Sequence, residues 1–149
     1  MKKIILFIFL LNIVNLFSEY TVTDSLENEL KFANGAYRTE VLKNLCIEYW
    51  LLDSEKSISF GMMALDAARE TSDKEDVIQA VIDLGVAYEF SGDFDTAKKY
   101  YSSAVDSSRT IRYYAGIGRA IRNIGFLQEE ENKLPEALAS YSEAVKSFL

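Results

Sequence analysis

Three arginines are the residues whose type and spacing best suit a chemical task. Arg112, Arg119 and Arg122 recur at intervals of seven and three, which places them nearly in line if they share one helix. They form a local basic stripe on an acidic chain. A guanidinium presents a planar fork of donors that matches a carboxylate. We therefore predict that these arginines can grip a carboxylate of a bound peptide; the alternative is that they pair within the protein, with Asp83 or Glu129.

Few residues of this chain are suited to catalysis. It has no histidine, which excludes His-based acid–base chemistry, catalytic dyads and the commonest zinc ligand. Cys46 is the only cysteine, so it can form neither an internal disulfide nor a Cys-rich metal site, and we expect a small buried residue. The nearest acid–base group is Glu129, Glu130 and Glu131, which precede Asn132 and are typical of a solvated helix end. We therefore expect no enzyme activity, no cofactor and no metal site.

Length and charge narrow the class of protein further. The 149 residues fit one domain of ordinary size, and 49% of them are hydrophobic, which is enough for a packed core. Asp and Glu number 23 against 16 Lys and Arg, giving a net charge of −7. Because an acidic surface repels phosphate backbones, we expect no nucleic-acid partner.

The first eighteen residues have the pattern of a secretory signal peptide. Lys2 and Lys3 precede an apolar run from Ile4 to Phe17, which is too short to span a bilayer comfortably. Ser18 suits the position just before the cleavage site, but Leu16 is larger than the small residue that is usual two positions upstream. We predict an exported protein, periplasmic or extracellular, whose only membrane contact is this N-terminal segment, and which stays anchored if the segment is not cleaved.

An internal repeat of about forty residues organises the rest of the chain. The second and third copies align at a shift of forty residues. The first copy aligns with the second at a shift of thirty-nine up to Tyr49 and of forty from Ser57, and the one-residue difference falls where a turn is expected. The second copy carries Leu84, Gly85, Tyr88, Gly92, Phe94, Ala97, Tyr101 and Ala104. The third carries Ile124, Gly125, Asn132, Leu134, Pro135, Ala137, Tyr141 and Ala144, and the first Leu45, Cys46, Tyr49, Ser57, Gly61 and Ala64.

Each copy has the apolar periodicity of two helices joined by a tight turn. Gly92 suits a left-handed cap and Asn132, its counterpart, is the next residue most tolerant of positive φ. Asp93 can cap the following helix, and Pro135 falls in a first helical turn, where its missing N–H costs nothing. Small residues such as Gly85 mark where paired helices cross, and tyrosines fill the space beside them. One hairpin cannot bury such a face alone, so the copies should stack.

The segment Glu19 to Gly35 differs from the repeats. Thr23 or Asp24 can cap a short helix from about Ser25 to Ala33, whose apolar edge should cover the open face of the first repeat.

These repeated residues resemble the tetratricopeptide repeat family. The second copy is nearly a full match, whereas in the third Gln128 replaces the family's tyrosine, and the period of forty exceeds the commonest thirty-four. The resemblance implies an all-α, right-handed superhelical solenoid of about three antiparallel helix pairs, over residues 36–72, 75–110 and 112–149. It also implies a non-enzymatic scaffold that binds a protein or peptide in a concave groove lined by the first helix of each pair.

The family's groove positions map onto residues in all three copies. They are Lys43, Asn44, Ile47 and Trp50; Gln79, Ile82, Asp83, Val86 and Glu89; and Arg119, Arg122, Asn123, Phe126 and Glu129. The chaperone-type groove that clamps a C-terminal carboxylate needs asparagines where Ile47 and Asp83 stand, so that ligand is not expected. Trp50 is either a groove contact or a spacer in the shortened turn.

The last predicted helix includes Ser147, Phe148 and Leu149 without the family's usual polar capping helix. Its apolar face should stay open unless something covers it. Self-association or a partner can cover that face, or the chain is a truncated version of a longer regulator. The alternative function is accordingly a sensory or regulatory fragment of a bacterial-type signalling protein.

Overall fold

Residues 21–148, which the computed structural model describes, form α-helices and no strand, so the predicted all-α class is confirmed. The helices are α1 (Val22–Leu30), α2 (Gly35–Tyr49), α3 (Ser54–Glu70), α4 (Lys74–Phe90), α5 (Phe94–Ile111), α6 (Tyr114–Glu130) and α7 (Leu134–Lys146). None of the helices in this range is both long and apolar enough to cross a bilayer. The predicted targeting segment lies outside the described residues.

The helices pack as three successive hairpins, α2 with α3, α4 with α5 and α6 with α7. Each hairpin also packs on the next, through α3 against α4 and α5 against α6. The first helices α2, α4 and α6 contact one another in series, whereas α3, α5 and α7 do not. The first helices therefore lie on the inner side of the stack, and their exposed side chains face one shared surface.

Large and small side chains alternate where the helices of a pair cross. A Cβ atom on Gly85 would lie 2.6 Å from Cε1 of Tyr101, and one on Gly125 would lie 2.8 Å from Cε1 of Tyr141. In the first pair the glycine lies on the second helix instead of the first. A Cβ on Gly61 of α3 would lie 3.1 Å from Sγ of Cys46 on α2. The predicted filling of the glycine positions by tyrosines is confirmed, and so is the burial of Cys46.

The turns inside the hairpins follow the expected chemistry. Gly92 and Asn132 both have positive φ, 84° and 59°. The carboxylate of Asp93 accepts a hydrogen bond of 3.0 Å from the backbone N–H of Thr96, and Pro135 lies in the first turn of α7. These predictions are confirmed.

The predicted line of three arginines on one helix is wrong. Arg112 is the C-cap of α5, with a left-handed φ of 59°, and α6 begins only at Tyr114. Its backbone N–H bonds back to α5, where it satisfies carbonyls left free by the helix end. Only Arg119 and Arg122 share α6.

Helix α1 covers the first hairpin, as predicted, but its start differs from the expected one. Thr21 is the N-cap, and Asp24 is the reciprocal acid of a capping box rather than the cap itself. Thr23 lies buried inside the helix. Leu26 and Leu30 pack against the buried core of the first hairpin.

Candidate functional site

An open cavity of about 330 Å³ lies on the inner side of the stack, where all three hairpins meet. It is lined by Trp50, Val86, Glu89, Arg122, Asn123, Phe126 and Tyr141. Trp50 is the C-cap of α2, Val86 and Glu89 lie on α4, and Arg122, Asn123 and Phe126 lie on α6. Two pairs of these side chains occupy equivalent repeat positions, Val86 with Phe126 at a shift of forty and Trp50 with Glu89 at a shift of thirty-nine.

A smaller recess of about 260 Å³ continues this cavity towards the turn between α4 and α5. We call it the aromatic recess; its lining is Glu89, Phe90, Phe94, Phe126 and Glu130. The two cavities share Glu89 and Phe126. The ring of Phe90 stacks on that of Trp50, with centroids 5.8 Å apart and an angle of 11° between the ring planes.

A tyrosine–glutamate hydrogen bond recurs beside the cavity in two hairpins. The hydroxyl of Tyr101 donates to Oε2 of Glu89 at 2.7 Å, and that of Tyr141 donates to Oε2 of Glu129 at 2.8 Å. In the first hairpin Trp50 stands at the glutamate position, so the cavity gains an indole there instead of a third carboxylate.

Glu89 carries its charge in a poorly solvated place. Burial raises the pKa of Glu89, and the nearby charge of Glu130 raises that pKa further. The hydrogen bond from Tyr101 and the charge of Arg122 act in the opposite direction, because both stabilise the carboxylate. The carboxylate is thus held in place as a half-buried negative charge at the junction of the two cavities.

Arg122 is the groove cation left available for a ligand. Its Nη2 and Nε donate to Oδ1 of Asn123 at 3.1 and 3.3 Å. This partner is a neutral amide, and no carboxylate of the described residues lies within ion-pair distance of Arg122. The buried amide of Asn123 therefore holds the exposed guanidinium at the cavity without neutralising it.

The other predicted groove cations are used within the protein. Lys43 forms an ion pair with Asp76, which joins α2 to α4. Arg119 donates to Oε1 of Gln79, whose Nε2 donates in turn to Oδ1 of Asp83 at 2.7 Å. These contacts tie the three first helices together away from the cavity.

The structure brings together six of the predicted groove residues: Trp50, Val86, Glu89, Arg122, Asn123 and Phe126. Trp50 is thus a cavity residue as well as the C-cap of α2. Lys43, Gln79 and Arg119 belong to the polar network, and Asn44 and Ile47 are exposed on α2 outside the cavity lining.

The assignment of Ile82 to the groove is wrong. Its exposed fraction is 2%, because it faces the core with Tyr101 and Ala104 of α5.

Sequence reasoning missed three aromatic residues of the site. The repeat pattern predicts a core position for Tyr141 and a turn position for Phe94, and it gives no role to Phe90. The signal available for Phe90 and Phe94 was their position on either side of the Gly92 turn. Among residues 21–148, no group of three or more Cys, Asp or Glu side chains is arranged to hold a metal ion.

Comparisons with known proteins establish the fold alone. No protein-family model matches the sequence, and no curated protein matches it. The crystal structure of Rap protein complexed with competence and sporulation factor is similar with a TM-score of 0.70 at 19% sequence identity, over 82% of this chain and 34% of that one. The crystal structure of BtubC (BKLC) from P. vanneervenii is similar with a TM-score of 0.63 at 21% identity, over 85% of this chain and 52% of that one. The chain therefore spans about a third and about a half of these two proteins, and it shares with Rap protein an all-helical repeat fold.

Proposed function

We propose that this chain is a non-enzymatic scaffold that holds a segment of another protein, or a peptide, against the inner side of the helix stack. One observation carries the proposal: side chains from all three hairpins converge on one open cavity with half-exposed aromatic rings and an available guanidinium. Tryptophan, tyrosine and arginine are the residues that most often dominate protein-binding energies. The cavity volume also lies at the lower end of the range typical of ligand sites.

The structural neighbours support this proposal at the level of the fold. Rap protein, which holds competence and sporulation factor in its crystal structure, has the same arrangement of helix pairs over most of this chain. We assign the repeats to the tetratricopeptide class on their residue pattern. We also propose export of the chain, on the pattern of its first eighteen residues.

Photo-crosslinking in intact cells tests the proposed site directly. A benzophenone amino acid replaces Phe126 in the full chain, and a matched variant carries it at Ser103, an exposed position on α5. We expect a discrete adduct with another protein from position 126 and none from position 103. Adducts of equal yield at both positions, or none at 126, would contradict the assignment of the inner cavity.

A purified partner then tests which side chains bind it. Trp50→Ala and Arg122→Glu should each weaken binding, because both residues line the cavity. Lys98→Glu changes an exposed cation on α5 and should leave binding unchanged. Arg119 is unsuited to this test, since its contact with Gln79 belongs to the protein's own network.

A regulatory fragment is the second candidate function. The observation that favours it is the coverage, since the chain matches only 34% of Rap protein and 52% of BtubC. It predicts a further repeat array or an output domain encoded next to this reading frame. Sequencing the adjacent DNA tests that prediction, and unrelated flanking genes would contradict it.

A further inference from the structure

We infer that the aromatic recess receives a cationic side chain, arginine or lysine, of the bound segment. This inference rests on the proposed function and specifies the chemistry of the ligand at one part of that site. The recess is distinct in composition from the larger cavity, because Arg122 lines the larger cavity but not the recess.

The rings of the recess are accessible to an incoming group. Phe90, Phe94 and Phe126 are 45%, 40% and 41% exposed, so each is partly buried by the protein and partly open. A phenyl face attracts a cation through its quadrupole, and the attraction grows when the pair is desolvated. Because Phe90 is stacked on Trp50, its ring is fixed before a ligand arrives.

The charges of the recess favour the same ligand. Glu89 and Glu130 both line it, and neither takes part in an ion pair with the described lysines and arginines. Their mutual repulsion, which contributes to the raised pKa of Glu89, would be relieved by a positive charge between them. The net charge of −7 also attracts a cationic segment from a distance.

Other occupants fit this recess less well. An acidic side chain would meet two carboxylates, and like charges in a poorly solvated place repel strongly. A purely apolar side chain would cover the half-buried Glu89 without supplying a counter-charge, which adds to its desolvation. An arginine or lysine stem can lie along the rings while its charged head reaches the carboxylates.

A displayed library of random heptapeptides, panned on the full chain, tests the inference. We expect the retained peptides to be enriched in arginine or lysine beside an apolar residue. In a synthetic version of the best peptide, replacing the basic residue by norleucine should weaken binding roughly five- to thirtyfold. Glu130→Gln in the protein should weaken binding of the basic peptide but not of its norleucine version, so that the two changes are not additive.

Matched variants and distinct outcomes keep the two proposals separable. Glu136→Gln removes an exposed carboxylate from α7 outside the recess and should leave binding unchanged. Circular dichroism checks that each variant keeps its helix content. If binding of the retained peptides depends on Trp50 and Phe126 but is not weakened by the norleucine replacement, this inference is overturned and the proposed function stands. Failure to retain any peptide would overturn both.

Discussion

Asp83 shows how a single buried residue can connect the helices of the groove. Its exposed fraction is 4%, and burial raises its pKa to about 6 although Gln79, Arg119 and Lys43 all act to lower that pKa. Asp76 acts with burial to raise it. At neutral pH the hydrogen bonds and nearby cations therefore do not fully offset the cost of burying this charge. This holds although Arg119 of α6 donates to Gln79, which donates in turn to Asp83.

We predict that Asp83→Asn stabilises the protein at pH 7. The native state binds the Asp83 proton more tightly than the unfolded chain, whose Asp pKa is about 3.9. The stability of the wild type should therefore fall as the pH rises from about 4 to about 6. Asparagine keeps the acceptor for Gln79 without the charge, so its gain should be about 1–3 kcal/mol in free energy of unfolding at pH 7 and should vanish near pH 4. Urea unfolding over this pH range measures it, with Asp106→Asn as an exposed control; a loss of stability at pH 7 would refute the prediction.

A substitution of Gly85 should destabilise the crossing of α4 and α5. An alanine Cβ would lie 2.6 Å from Tyr101 Cε1 and 3.2 Å from Tyr100 Cβ, so the two helices of the pair must separate. We expect Gly85→Ala to cost at least ~1 kcal/mol in free energy of unfolding, even after the better helix propensity of alanine. Ser103→Ala, on the exposed side of α5, should change stability by less than ~0.5 kcal/mol. Equal midpoints of denaturation for the two variants would show that α4 and α5 can accommodate a methyl group at position 85, which would contradict the prediction.

The helix pairs could be predicted from the sequence because their signals are local and repeat. Gly85, Gly125 and the tyrosines that face them recur at one spacing, and Asp93 and Pro135 start helices by short-range chemistry. The site was only partly predictable, because side-chain pairing between helices depends on three-dimensional distances. The contact of Arg119 with Gln79, for example, joins equivalent positions of two successive repeats, but the repeat pattern does not show that their side chains meet.

Equivalent helix starts in the second and third hairpins differ in one capping residue. Asp93 caps α5, whereas Lys133 at the same position before α7 makes no capping hydrogen bond. Their backbone angles are similar, with φ and ψ of −85° and 71° against −95° and 63°. Lys133 instead pairs with Glu131 on the surface, an interaction of small net value.

We therefore predict that Lys133→Asp stabilises the third hairpin. An aspartate there can accept from the free N–H groups at the start of α7 and places a negative charge at the positive end of the helix dipole. The expected gain is about 0.5–1 kcal/mol, measured by thermal or urea denaturation. Lys146→Asp makes the same change of charge at the other end of α7, where the dipole disfavours it. If both variants changed stability in the same direction and amount, net charge rather than capping would be the cause.

The outer face of α7 is the place where the stack of the described residues is incomplete. Ile58, Leu65 and Ala68 of α3 pack against α4. Their counterparts are Leu138 and Val145 on α7 and Phe148 just after it, and these are 70%, 60% and 58% exposed. The predicted open apolar face is present. A repeat gains its stability from neighbours on both sides, and within residues 21–148 α7 packs only against α6.

Hydrogen exchange should reveal this asymmetry across the whole molecule. Helix α5 packs against both α4 and α6, so its amides should open only with the larger part of the stack. We expect the amides of α7 to exchange faster than those of α5 in a dilute sample, since fewer contacts must break to open it. Leu138→Lys should leave this exchange unchanged, because the substituted side chain is already in water. If α7 were as protected as α5, and dilution or Leu138→Lys removed that protection, its apolar face would be covered by a second copy of the chain. Equal protection that resisted both changes would contradict the expected loss of stability at this end of the stack.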